Sequence, residues 1–243
     1  HPGFQAAEAG LLIDWYASLL IGSAAAELNH YPCTRETYLV DGHPPAPPWT
    51  AGAVPRKQFP YLTKTLKHLA EAGPRDFYEG RLASTLVEDI SRCGGILSRE
   101  DLEKYKAKLV EPLVREYRNT RLHVHPELNA GSTLLKALSL LKQPLETEKA
   151  ASAEAFLAIA KALDQVYRER LETMGDVPGR RDMSCTTHLC VIDSQGSMVS
   201  LTQTLLSIFG SKLVLPQTGI LMNNGLMWFN PEPGHPNSLA PDK

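Results

Sequence analysis

The sequence predicts an α+β fold, and three observations carry that expectation. Apolar residues recur at helical spacing through most of the chain before Gly175, and the spacing turns to alternation after it. No regular exchange of strand and helix links the two parts, so segregated helices and strands fit better than an alternating α/β order. The composition supports a globular core: of 243 residues, 43% are hydrophobic and 21% charged.

Taken in order, Leu11, Leu12, Trp15, Leu19 and Leu20 predict a helix in the first forty residues. His43 to Trp49 holds Pro44, Pro45, Pro47 and Pro48, which forbid a helix and predict an extended surface connector. From Tyr61 to about Lys142 the pattern is mostly helical. Leu82, Leu86 and Ile90 mark one helical face, and Gly94-Gly95 supplies the left-handed turn that ends it. Ser98 with Asp101 reads as a capping box opening the next helix. Val114 to His125 reads as a strand before Pro126, and Gly131-Ser132-Thr133 starts a helix through Leu134, Leu135, Leu138 and Leu141. Phe156, Ile159, Ala160, Leu163, Tyr167 and Leu171 predict a long amphipathic helix. Thr187–Asp193 and Met198–Thr204 then flank the turn Ser194–Ser197, which is the pattern of a β-hairpin. A short apolar run, Gly219–Met222, precedes Asn223-Asn224-Gly225, and the proline-rich tail from Phe229 reads as loop.

Several function classes are disfavoured at once. Lys and Arg number 25 against 27 Asp and Glu, a net charge of -2, and no basic run offers a nucleic-acid footprint. The longest apolar stretch, near Leu19–Ala26, is too short to span a bilayer. Cys33, Cys93, Cys185 and Cys190 are too scattered for a disulfide framework or a zinc cage, so they are expected to be buried free thiols, with no metal and no cofactor. A start at His1 with no leader behind it suggests a processed product or a fragment.

The segment richest in chemistry is Cys185-Thr186-Thr187-His188-Leu189-Cys190-Val191-Ile192-Asp193-Ser194-Gln195-Gly196. Behind it stand Val199-Ser200-Leu201-Thr202-Gln203-Thr204, then Phe209-Gly210-Ser211, then Thr218 to Asn224. Upstream stand Phe77–Gly80, Gly94–Tyr105 and Val110–Leu113. This ordered set resembles the γ-glutamyltransferases (γ-glutamyltranspeptidases, glutathione hydrolases). Their nucleophile region reads T-T-H-x-S-V-V-D-x-x-G-x-x-V, then T-x-T, F-G and G-I-L-x-N-N. The similarity runs from about residue 50 to the end.

The resemblance implies an N-terminal-nucleophile hydrolase fold, an αββα sandwich, here as an incomplete central fragment. It implies a precursor that cuts itself at Cys185–Thr186, with residues 1-185 in the large subunit and 186-243 in the small one, the two staying associated. Thr186 would then be the catalytic nucleophile. Once its amide bond is cut, its own α-amine, titrating at about 7.7–8.0, can act as general base at working pH. Thr204 falls at the position whose hydroxyl orients the nucleophile. The implied substrate is a small-molecule γ-glutamyl amide of the glutathione type or another acyl amide, met by Asn224, Gly225 and Trp228. His188 is read as structural, and Asp193 as a hairpin-turn residue. The implied compartment is periplasmic or extracellular, with cytoplasmic as the alternative.

Three positions depart from the family pattern. Leu206 replaces an Asn, Gly225 a Gln or Glu, and Trp228 an Asp, so the polar clamp for the glutamyl α-amine and α-carboxylate is lost. Trp228 and Phe229 either line a pocket for an apolar acyl group or form a buried structural pair. The family's arginine for the α-carboxylate would precede His1. Its serine pair and its oxyanion-hole glycine pair would follow Lys243. The alternatives to a γ-glutamyltransferase are therefore an amide hydrolase or acylase with a non-glutamyl substrate, or a catalytically inert relative.

Overall fold

The helices begin and end where side chains or backbone turns can satisfy their exposed polar groups. The computed structural model describes residues 2–47, 53–126, 130–141, 152–173, 184–234 and 238. Its helices are α1 (Pro2–Ala9), α2 (Trp15–Ser23), α3 (Ala25–Leu28), α4 (Pro32–Tyr38), α5 (Pro60–Ala72), α6 (Arg81–Arg92), α7 (Arg99–Lys104), α8 (Ala130–Leu140) and α9 (Ala153–Thr173). Its strands are β1 (Leu11–Leu12), β2 (Arg56–Lys57), β3 (Leu113–Tyr117), β4 (Thr120–Val124), β5 (Ser184–Ile192) and β6 (Met198–Ser207). They form three antiparallel pairs, β1 with β2, β3 with β4 and β5 with β6.

Asp14 caps α2 by accepting the Ala17 N–H at 2.8 Å. Ser98 and Asp101 form the expected capping box at α7. Asp76 accepts the first amides of α6, from Arg81 at 3.0 Å and Leu82 at 2.9 Å, and pairs with His68 at 2.8 Å. At the other end of α6, Gly94 takes φ +84°, and the Gly94 and Gly95 amides donate to Ser91 and Ile90 carbonyls at 3.0 and 2.8 Å. That pair of bonds is the Schellman motif.

The chain divides into two compact units. One holds residues 1–106 and 182–225, and the other residues 107–181 and 226–243. In the second, α8 and α9 pack together, and Leu135, Ala137, Ala155, Ala162 and Val166 on these helices are buried. Arg170 of α9 donates to the Thr133 hydroxyl at 2.7 Å, and Lys136 pairs with Glu169.

The first unit has two apolar clusters, and the segment after β6 is fastened to both. Ile13, Ile21, Ala24, Leu28 and Leu39 form one cluster, with Phe209 against it. Leu82, Leu86, Ile90 and Leu215 form the other, joined by Leu213, Ile220 and Met222. Three helices also reach this segment by buried hydrogen bonds. The Thr34 hydroxyl accepts the Val214 N–H at 2.9 Å, and the Thr65 hydroxyl donates to the Thr218 carbonyl at 2.8 Å. Asp89, fully buried, accepts from the Gln217 backbone at 2.8 Å and from its side-chain amide at 3.0 Å. Asp89→Ala is expected to leave both donors unpaired, at a cost of about 2–3 kcal/mol. For a chain of this size that lowers Tm by about 5–10 °C, checked by thermal melting beside an exposed control such as Glu100→Ala.

The structure corrects several sequence expectations. Leu11 and Leu12 form a two-residue strand paired with Lys57 and Arg56, so the predicted first helix is divided into α1 and α2. The single strand expected over Val114–His125 is two strands, because Arg118 turns the backbone at φ +54° and pairs Tyr117 with Thr120. Of the thiols expected to be buried, Cys33 is half-buried while Cys93 and Cys190 are exposed; all three are free. The connector is described to residue 47, and its last residues, 48–49, lie outside the described residues, as do 235–237 and 239–243 of the tail.

Candidate active site

Strands β5 and β6 form the expected hairpin, with Ile192 opposite Met198 beside the turn. Asp193 closes that turn, its carboxylate accepting the Gln195 and Ser197 amides at 2.9 and 2.8 Å. The Ser197 bonds and the neighbouring amides hold its carboxyl below the usual carboxylate range. Side chains alternate across the hairpin, so Thr186, His188 and Cys190 share one face with their partners Thr204, Thr202 and Ser200. The other face carries Leu189, Val191, Val199 and Leu201.

The polar face is internally bonded. His188 Nδ1 lies 2.6 Å from the Thr202 hydroxyl, and its Nε2 lies 3.3 Å from both Cys190 Sγ and Ser200 Oγ. His188, read as structural, thus belongs to the same ladder as Thr186. Next along the ladder, Thr186 stands directly opposite Thr204.

A bulge interrupts the ladder at the Cys185–Thr186 bond. Cys185 pairs with Leu206 while Thr186 pairs with Thr204, so Leu205 is the extra residue. A bulge bends its strand and re-aims the side chains beside it. Leu206 follows at φ +78°, a left-handed conformation that costs a leucine about 1–2 kcal/mol. Its amide turns back to donate to Thr204 Oγ1 at 2.9 Å. Phe209, Gly210 and Lys212 also have positive φ, at 57°, 49° and 62°. At Gly210 a Cβ would stand 2.3 Å from the Met222 carbonyl oxygen, so only glycine fits there. Phe209 meets Tyr38 edge-on at 5.0 Å, and burial pushes the Tyr38 phenol up to about 12. The loop beyond Thr204 is therefore held in place from both sides.

Of the residues expected beside the substrate, Asn224 lies in this unit with its side chain turned onto Ser207. Its Oδ1 accepts the Ser207 N–H at 3.0 Å, and its Nδ2 donates to Ser207 Oγ at 2.9 Å. The Gly225 amide donates to Asn223 Oδ1 at 2.8 Å. Trp228 belongs to the second unit, at the end of a 3₁₀ turn, and is 65% exposed, so the buried structural pair with Phe229 is not formed. The Cys185 side chain lies outside the described residues. Among the described residues there is no metal-binding group of three or more His, Cys, Asp or Glu, and no helix long and apolar enough to cross a membrane. Sequence reasoning missed Ser207 and the conformation of Leu206. Asn223-Asn224 was a visible signal, but nothing local pairs Asn224 with a residue 17 positions away.

A family model described as "Gamma-glutamyltranspeptidase" matches residues 1–181 and 178–243. The "Glutathione hydrolase proenzyme" of Escherichia coli (strain K12) is 28% identical over 216 residues, covering 72% of this chain and 37% of its own length. The "Acylase ACY 1 proenzyme" of Pseudomonas sp. (strain SE83) is 27% identical over 279 residues, covering 100% of this chain and 49% of its own length. The crystal structure of cephalosporin acylase from Bacillus halodurans superposes with a TM-score of 0.77 at 23% identity, over 99% of this chain and 50% of that one. The chain thus spans about half the length of such relatives, or less.

Proposed function

The chain belongs to the γ-glutamyltranspeptidase family and has its N-terminal-nucleophile hydrolase fold, and from that premise we propose that the protein carrying it cuts itself at Cys185–Thr186 and then transfers or hydrolyses an acyl group held on Thr186. The observation that carries this reading is the pairing of Thr186 with Thr204 beside a bulge at the bond to be cut. In the first step the Thr186 hydroxyl attacks the Cys185 carbonyl carbon. The C–N bond breaks, an ester forms, and the Thr186 α-amine takes up the proton. Water then opens the ester, leaving a carboxylate on Cys185 and a free hydroxyl on Thr186. In turnover the α-amine serves as base while the same hydroxyl attacks the substrate amide. The substrate amine leaves with a proton, and water or an acceptor amine releases the acyl group.

The products of the cut would be the segments ending at Cys185 and starting at Thr186, and the packing supports their staying together. Leu215 is enclosed by Leu82, Leu86 and Ile90, and Val214, Gln217 and Thr218 are hydrogen-bonded to α4, α6 and α5. Breaking one bond in β5 leaves all of these contacts in place.

Two substrate classes fit the family, γ-glutamyl amides of the glutathione type and amides of another acyl group. Leu206 favours the second. It is only 5% exposed and carries no polar group for a substrate ammonium. Gly225 has no side chain to offer, and Trp228 is apolar where the resemblance implies an Asp.

The test of the reading is intact mass with N-terminal sequencing of the purified protein after incubation at neutral pH. The expected result is two co-purifying chains, one beginning at Thr186. A single uncut chain of demonstrably folded protein overturns it.

A further inference from the structure

The Leu205–Ser207 bulge is held by one residue, Asn224, from both of its ends. The Asn224 backbone N–H donates to the Leu205 carbonyl at 3.1 Å. Its side chain takes the Ser207 amide at 3.0 Å and gives a hydrogen bond to the Ser207 hydroxyl at 2.9 Å. Between these ties sits Leu206, in the left-handed conformation that an unsupported leucine leaves readily. In this turn the Leu206 amide reaches Thr204 Oγ1 at 2.9 Å. With that oxygen accepting from Leu206, the Thr204 hydroxyl still has a proton to donate, and the residue paired with Thr204 across the ladder is Thr186.

We propose that Asn224 is a positioning residue for Thr186: it clamps the bulge, the clamp holds Leu206 left-handed, and the Leu206 amide aims the Thr204 hydroxyl at the nucleophile. This rests on the reading of Thr186 as the residue that attacks. It gives Asn224, expected at the substrate, a task that its side-chain geometry already performs without one. It also explains why a leucine is tolerated at φ +78°, since the strain is offset by three hydrogen bonds from a single partner.

The test follows self-cleavage at Cys185–Thr186 by intact mass in the full-length protein, with wild type and Thr186→Ala run alongside. Asn224→Leu removes both side-chain bonds and should slow cleavage about tenfold or more. Asn224→Asp keeps an acceptor for the Ser207 amide, and the Ser207 hydroxyl can donate to its second oxygen, so cleavage should stay within about threefold of wild type. In a Thr204→Val background, in which cleavage is expected to be slow but measurable, Asn224→Leu should add less than about twofold, because its route runs through Thr204. A merely structural role would slow both backgrounds alike. If Asn224→Leu does not fold, Ser207→Ala, which removes one of the bonds, replaces it with an expected loss of about fivefold. The proposal is overturned if Asn224→Leu cleaves at the wild-type rate, if Asn224→Asp fails to rescue, or if the loss is equal in both backgrounds. An uncut wild type, or a Thr186→Ala variant that is still cut, overturns the nucleophile assignment and this proposal with it.

Discussion

Thr186→Ala is expected to abolish both self-cleavage and turnover, the largest effect of any single substitution in the chain. In the proposed mechanism the side chain supplies the attacking oxygen in each step, and no neighbour on its strand face is placed to replace it. Thr204 Oγ1 accepts the Leu206 amide, and His188 is bonded to Thr202, Cys190 and Ser200. Loss of a nucleophile in an acyl-transfer site lowers turnover by about 10⁴–10⁶, and here it removes the cut that frees the α-amine as well. Thr186→Ser separates the two contributions of the residue. It keeps the hydroxyl but loses the methyl group that restricts χ1, so cleavage should persist at a reduced rate. Intact mass and a single-turnover assay with an activated acyl amide read both variants. A Thr186→Ala protein that is still cut after Cys185 would place the nucleophile elsewhere.

Much of the scaffold behind this site follows from local chemistry. The face of α6 through Leu82, Leu86 and Ile90 packs as its spacing indicates, and Gly94 ends that helix because it alone takes φ +84° without strain. The hairpin itself follows from period-two alternation around the Ser194–Ser197 turn, while the pairing of Thr186 with Thr204 is seen only in the structure. What escapes a sequence reading is set by partners far along the chain. Leu11 and Leu12 are strand only because Lys57 and Arg56 pair with them, and a two-residue strand has no period to detect. The break at Arg118 hides inside a run of β-formers. At the site, the bulge, the left-handed Leu206 and the tie from Asn224 to Ser207 arise together. The tie joins residues 17 positions apart, which no local pattern signals.

The second large effect concerns the acyl group. The protein is expected to turn over a simple apolar acyl amide with a kcat/KM at least about 10² above that for glutathione. Recognition of a γ-glutamyl group requires partners for an ammonium and a carboxylate taken out of water. An ammonium left without them costs several kcal/mol, and each 1.36 kcal/mol is about tenfold in rate. Leu206 is buried and offers only its backbone amide, which is already committed to Thr204. Gly225 contributes an amide that is bonded to Asn223, and Asn224 has its side chain on Ser207. The hydrogen-bonding groups of Leu206, Gly225 and Asn224 are thus engaged within the chain, and Trp228, 65% exposed, is an indole at the position where the family resemblance implies an Asp. An apolar acyl group asks for no such partners, and each Å² of it removed from water contributes about 25 cal/mol. The measurement is kcat/KM for glutathione beside that for an aliphatic and an aromatic acyl amide of similar size, with Trp228→Asp as the diagnostic variant. That substitution should cost the apolar substrates most and narrow the gap. A wild-type preference for glutathione would show that other residues rebuild the clamp, and the apolar reading of Trp228 would fall with it.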